Sequence, residues 1–250
     1  MKNNKKIVVL LHGYPEPIHK GHPLYKYFKN NNYEIVSIYL FDPKFKLTQE
    51  DVKKFVSIEL KGEDPGVIVG VSLGGLIAPY LAKYYPSAKL VLIATGPYIR
   101  TKFTNINKYF SKLENSKILI PLHWLLLHTP SSLYSYFYKR LNKSITKTKE
   151  RKILETHIKG NWKHLKNIPL SEHREVVDFL ISTDNTLLLR SLNNKTIIFT
   201  GIGDNMMPSE LSIIMKNLIK RSEIVSCDQC IHFDVFNKEN YKHLDNFLSK

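Results

Sequence analysis

Long apolar runs, cysteine and arginine are what this 250-residue chain has least of, and each scarcity excludes something. A helix that crosses a bilayer needs about 20 consecutive apolar residues. The longest candidate, ILIPLHWLLL at 118–127, is interrupted by Pro121 and His123, so no integral membrane segment is expected. The amino end, MKNNKKIVVLLHGYP, carries the basic flank of a secretory signal. Its apolar run is only five residues long, where a signal needs about 7–15, and no small-residue cleavage site follows. A cytoplasmic protein is therefore expected. The two cysteines, Cys227 and Cys230, are spaced C-x-x-C and cannot complete a four-ligand zinc site. Two reduced thiols suit a cytosolic chain, with a redox pair as the alternative. Lysine outnumbers arginine 31 to 6. Phosphate and base recognition draw on arginine forks and no nucleic-acid motif is present, so no nucleic-acid partner is expected.

What is abundant is positive charge, a formal net +15, together with a hydrophobic content of 43% that is enough for a sizeable core. The charge is unevenly spread. Residues 97–195 hold 18 Lys/Arg against 7 Asp/Glu, a net +11, which leaves +4 for all the rest. Such a surface attracts an anionic substrate, a membrane face or nucleic acid, or else reflects a Lys- and Asn-rich bias alone.

Six β-branched runs punctuate the chain: KIVVLLHG at 6–13, YEIVSIYL at 33–40, PGVIVGVS at 65–72, KLVLIATG at 89–96, KTIIFTGIGD at 195–204 and RSEIVSCDQC at 221–230. Helix-length amphipathic stretches such as GGLIAPYLAKYY, SELSIIMKNLIKR and NYKHLDNFL separate or follow them. Strands apolar on both faces and separated by helices predict an α/β protein, a mostly parallel sheet flanked by helices. Between Gly96 and Lys195 no buried strand is evident. The segment predicts a helical cap insertion over 97–194, set on a core formed by 1–96 and 195–250, with NKSITKTKERK at 142–152 as a solvated connection.

The run VIVGVSLGGLIA at 67–78 places one serine between two glycines at a strand-to-helix junction. A very sharp turn there crowds the residues two before and two after its apex. Glycine at 70 and 74 removes the Cβ atoms that would clash, and the turn presents Ser72 at the amino end of a helix, where negative charge is favoured. A serine hydroxyl attacks only if a base takes its proton and a third group orients that base. Asp204, just after the run TIIFTGIG, and His232, just after the last strand, stand at strand ends in the order serine, acid, base. Asp228 and Asp234 are weaker rivals for the acid, since they crowd the histidine in sequence. LLHGYPEP turns off the first strand at Gly13, so the backbone N–H groups of Tyr14 and Leu73 are candidate oxyanion donors. His12 reads as a structural histidine organising that turn. Glu16, His19 and His22 lack a firm ligand geometry, and neither a metal nor a cofactor is expected.

These residues resemble the α/β-hydrolase superfamily, and within it the capped serine esterase, lipase and acyl-hydrolase branch. LLHGYP is similar to its oxyanion segment, VGVSLGG to its nucleophile elbow, FTGIGDNMMP to its acid loop and IHFDVF to its histidine loop. HGYPE also looks like the matching segment of epoxide hydrolases, which use aspartate where this chain has Ser72. The family often has glycine before the histidine, where this chain has Ile231. The resemblance implies an α/β-hydrolase fold and cleavage of a small-molecule ester or thioester through an acyl-enzyme on Ser72. Trp124, Leu125, His128, Tyr134 and Phe137 then either wall an acyl pocket or pack the cap's own core. Carbon–carbon hydrolysis, peptide hydrolysis or acyl transfer on the same residues is one alternative. A catalytically silent binding protein using the basic cap is the other.

Overall fold

All six apolar runs form strands of one sheet in the computed structural model, which describes residues 6–99, 121, 125, 128–133, 135–136, 148–228, 230, 232 and 235–250. The strands are β1 (Ile7–Leu11), β2 (Glu34–Ile38), β3 (Val67–Val71), β4 (Lys89–Ile93), β5 (Thr196–Gly201) and β6 (Ser222–Cys227). They lie in the order β2-β1-β3-β4-β5-β6, and every pair is parallel. The α/β-hydrolase fold class and its mostly parallel sheet stand as expected. Position in the sheet explains composition: β1 is buried at every residue, whereas the edge strands β2 and β6 alternate toward solvent.

Helices with defined bounds among the described residues are α1 (Pro23–Asn30), α2 (Gln49–Glu59), α3 (Leu73–Tyr84), α4 (Thr148–Asn167), α5 (Leu170–Ser182), α6 (Thr186–Ser191), α7 (Ser209–Leu218) and α8 (Tyr241–Ser249). Their starts follow local chemistry. His22 Nδ1 accepts from the Leu24 N–H at 3.2 Å ahead of Pro23, and Thr48 Oγ1 accepts from Asp51 N–H at 3.0 Å, with Glu50 and Asp51 in the first turn of α2. Because successive strand side chains point to opposite faces, the sheet divides the core in two. Val9, Leu11, Ile68, Leu90, Leu92 and Ile198 pack with α2, α3 and α7. Val8, Leu10, Val69, Val91, Ile197 and Phe199 pack with α1 and α8. Each such side chain, fully withdrawn from water, contributes roughly 1.5–3 kcal/mol.

The interval between β4 and β5 holds α4, α5 and α6. The expected solvated connection at 142–152 is corrected in part: 148–152 belong to the 20-residue helix α4, and 142–147 lie outside the described residues. The interval returns to the sheet through Asn185, whose side chain donates to the Leu76 carbonyl of α3 at 2.7 Å and whose N–H donates to the Pro97 carbonyl at 2.8 Å. Among the described residues no helix is long and apolar enough to cross a membrane.

Strand order positions the site. From β1 the chain moves outward to β2, then returns to β3 on the other side of β1, so the connections diverge at the carboxyl ends of β1 and β3. A crevice opens where connections diverge in this way. Leu11 pairs with Gly70 there, so Gly13 and Ser72 emerge side by side.

Candidate active site

The turn at Ser72 begins with its backbone, held at φ 49° and ψ −110°, a conformation L-residues rarely adopt. Close packing enforces it. A Cβ on Gly70 would lie 2.6 Å from the Gly74 carbonyl oxygen and 2.7 Å from the Gly75 Cα, and one on Gly74 would lie 2.3 Å from the Leu11 carbonyl oxygen. Neither position accepts a side chain unless backbone moves. Hydrogen bonds fix the rest: Ser72 N–H donates to the Ile93 carbonyl at 2.9 Å, Thr95 Oγ1 to the Ser72 carbonyl at 2.9 Å, and Gly74 N–H to the His12 carbonyl at 3.0 Å. Ser72 caps no N–H of α3 with its own hydroxyl.

That hydroxyl instead meets His232. Ser72 Oγ is 3.0 Å from His232 Nε2, and His232 Nδ1 is 2.8 Å from Asp204 Oδ2. The other carboxylate oxygen, Oδ1, accepts from the N–H groups of both Met206 and Met207 at 2.8 Å. Asp204 is thus buried, its carboxylate held by the acid loop and the imidazole. Since an ionised carboxylate only accepts, Nδ1 carries the proton toward Asp204, and the lone pair of Nε2 faces the serine. Residues 72, 204 and 232, widely separated in sequence, are brought together. The rival Asp234 lies outside the described residues.

The β1 turn comes in from the other side. A Cβ on Gly13 would stand 3.2 Å from Ser72 Cβ and 3.9 Å from its Oγ, so the backbone entering Tyr14 passes directly against the serine. Of the first N–H groups of α3, those of Gly74 and Gly75 are taken by the carbonyls of His12 and Ser72. Leu73, the first helical residue, has no carbonyl a turn behind it to accept its own. His12 organises this turn, as its sequence position predicts. It is fully buried, and its Nε2 accepts from the Leu40 N–H at 2.9 Å, which leaves the proton on Nδ1 to donate to the Gly13 carbonyl at 2.5 Å. Burial drives its pKa down to about 4, so the ring is neutral around pH 7.

Two contacts had no sequence signal. The Tyr14 hydroxyl donates to Nδ1 of His173 on α5, and the His173 Nε2 donates to the Leu165 carbonyl of α4 at 3.3 Å, so the turn after β1 is tied to the interval between β4 and β5. A single histidine in an amphipathic helix gives no hint of a partner 159 residues away. The expected reduced thiols are also corrected: Cys227 and Cys230 form a disulfide at the end of β6. Their C-x-x-C spacing, with β6 ending at Cys227, places the two sulfurs within bonding reach.

Of the expected pocket residues, Leu125 and His128 are exposed, while Trp124, Tyr134 and Phe137 lie outside the described residues. No group of three or more His, Cys, Asp or Glu suited to a metal occurs among the described residues, and Glu16 and His19 stand 3.8 Å apart as an ion pair when His19 is protonated.

Comparison with known proteins gives a consistent picture of the scaffold. A family model described as alpha/beta hydrolase fold matches residues 39–239. No curated protein sequence matches. Among solved structures, an esterase from Exiguobacterium antarcticum is similar at TM-score 0.70 and 17% identity, over 98% of this chain and 92% of that one. A bromoperoxidase from Bacillus anthracis is similar at TM-score 0.71 and 17% identity, over 98% and 92%. MenH from S. aureus is similar at TM-score 0.69 and 17% identity, over 98% and 93%. At such identity the likeness concerns the fold, which an esterase and a bromoperoxidase share.

Proposed function

The chain belongs to the alpha/beta hydrolase fold family, and from that premise we propose that it is a serine hydrolase that cleaves a carboxylic ester or thioester through an acyl-enzyme on Ser72. The observation that carries the reading is the double reach of His232, 3.0 Å to Ser72 Oγ and 2.8 Å to Asp204 Oδ2. As Ser72 Oγ attacks the substrate carbonyl, its proton passes to Nε2. Asp204 keeps the ring oriented and stabilises the imidazolium that results. The N–H groups of Tyr14 and Leu73 receive the developing oxyanion, a contribution of about 2.7–4 kcal/mol per donor at comparable sites. The imidazolium returns its proton to the leaving alcohol or thiol. Water, deprotonated by the same Nε2, then attacks the acyl-enzyme and frees Ser72. These steps call for no cofactor and no metal.

Residues 97–194 act in this reading as a cap that supplies the acyl pocket. The site itself takes a small acyl substrate. The test is covalent labelling by a fluorophosphonate, which reports an activated serine whatever the natural substrate. The native protein is expected to label at one site, and Ser72→Ala not at all. Equal labelling of the two proteins, or none of the native one, overturns the proposal in favour of a silent binding protein. Nitrophenyl esters of increasing chain length, run beside amide and acyl-CoA substrates, then separate ester hydrolysis from peptide cleavage and acyl transfer.

A further inference from the structure

The sequence reading singled out C-x-x-C at 227–230, and the chemistry above makes no use of it. Its position gives it one. Cys227 is the last residue of β6 and pairs with Gly201, the last of β5. Its carbonyl accepts from the Ile202 N–H at 3.0 Å, at the start of the acid loop. Cys230 is buried, and its carbonyl accepts from the Gly203 N–H at 3.1 Å, the residue directly before Asp204. The approach is as close as backbone allows: a Cβ on Gly201 would fall 2.3 Å from that same carbonyl oxygen. His232 lies two residues beyond Cys230, so one residue meets both the loop that carries the acid and the loop that carries the base. Asn237 Nδ2 adds a contact to Cys230 Sγ at 3.4 Å.

We infer that the Cys227–Cys230 disulfide is a positioning brace for the Asp204–His232 pair, and that efficient chemistry at Ser72 requires it closed. The inference rests on the serine-hydrolase reading. The bond ties Cys230 to the end of β6, with the Cα atoms 5.3 Å apart, and thereby fixes the carbonyl under Gly203 and the point from which the chain departs toward His232. A dithiol opens the brace by exchange: its thiolate attacks one sulfur and releases the other cysteine, its second thiol then attacks the mixed disulfide and releases the first, and two electrons with two protons pass to the protein. The dithiol ends as its own cyclic disulfide and the protein as two thiols. Two thiols no longer bond and must move apart to van der Waals contact, in a turn that has no slack against Gly201. A displacement of about 1 Å at a catalytic group costs roughly a hundredfold in rate.

The experiment compares the air-oxidised protein with the same protein after dithiothreitol, both followed by ester turnover and by the rate of fluorophosphonate labelling, with cysteines counted by thiol titration in denaturant. Reduction is expected to lower kcat and labelling rate about tenfold to a hundredfold, with KM within about twofold, and reoxidation restores both. The double variant Cys227→Ser, Cys230→Ser is expected at the reduced level and indifferent to dithiothreitol. Should that variant fail to fold, the reversible treatment of the native chain decides alone. Unchanged kcat with two thiols titrated overturns the brace, as does a fall in thermal midpoint alone, or two free thiols in the air-oxidised protein. A protein that labels in neither state sinks the hydrolase reading and this inference with it, whereas labelling indifferent to redox state sinks only the brace.

Discussion

The two sides of the candidate site are held by different means. On the Ser72 side, at the ends of β1 and β3, the geometry comes largely from backbone packed on backbone: Gly74 against Leu11 and His12, Gly70 against Gly74 and Gly75. On the Asp204 and His232 side, at the ends of β5 and β6, a single such approach, Gly201 against the Cys230 carbonyl, is joined by side-chain hydrogen bonds, a disulfide and loop contacts that set the catalytic groups. Steric exclusion is all-or-none and acts before the fold is complete. Polar contacts are graded and leave the fold standing when one is lost. The difference predicts that damage to the first side appears as lost stability, and damage to the second as lost chemistry.

The sharpest test of the second half is Asp204→Asn. The amide still accepts from Met206 and Met207 but presents N–H toward His232, which favours the tautomer whose Nε2 carries a proton and faces Ser72. Turnover is expected to fall about 10³–10⁴-fold. Stability should fall only about 1–2 kcal/mol, as a charge-assisted acceptor becomes a neutral one. Gross unfolding in a urea titration would show that this side, too, is a packing element, and the contrast would collapse.

Gly74→Ala probes the other half. The added methyl meets the Leu11 carbonyl oxygen at 2.3 Å and the His12 carbonyl oxygen at 2.8 Å, neither of them a flexible side-chain end. The expected cost is about 3 kcal/mol or more, read as a lower urea midpoint, with labelling lost in proportion to folding. A stable, well-folded but inactive variant would contradict the assignment of this side to architecture.

His12, on the same side, makes the contrast depend on pH. Its folded pKa, lowered by burial to about 4 from 6.5, means that between those values the unfolded chain binds a proton that the folded chain refuses. Stability therefore falls as pH falls through that window and is unaffected by this group above it. The loss between pH 7 and pH 4.5 is about 2–3 kcal/mol. Urea midpoints of the native protein and His12→Gln at both values isolate it: the variant should lose less on acidification, and parallel losses would remove His12 from the account.

What the sequence made legible follows the same division. The strands were readable because β-branched runs are local, and the elbow because Gly70, Ser72 and Gly74 sit within five residues. Asp204 and His232 were readable because strand ends are where functional groups emerge and their order along the chain is informative. The partner of Tyr14 was not legible, since nothing near His173 encodes a contact made only after α5 docks. The disulfide was missed because C-x-x-C spacing is indifferent to redox state, and the expectation of a cytosolic chain pointed to thiols. Of the five candidate pocket residues, Trp124, Leu125, His128, Tyr134 and Phe137, Leu125 and His128 are exposed and the others lie outside the described residues. Their role rests on composition, which records an apolar surplus without saying what it covers.

Tyr14→Phe carries the smallest expected effect and is the finest probe of the contrast. The variant deletes the hydroxyl that donates to His173 and leaves that Nδ1 to find another donor. The ring contacts survive, including the edge-on approach to Phe41 at 5.7 Å between centroids. A cost of about 1 kcal/mol in stability is expected. Turnover should stay within about threefold, because the Tyr14 N–H is a backbone group whose place is set upstream by His12, bonded to Leu40 and to the Gly13 carbonyl. A fall in kcat beyond tenfold with stability intact would mean that the oxyanion donor is steered by a side chain reaching to α5. The Ser72 side would then be as tunable as the side that holds His232, and the interval between β4 and β5 would govern the chemistry directly.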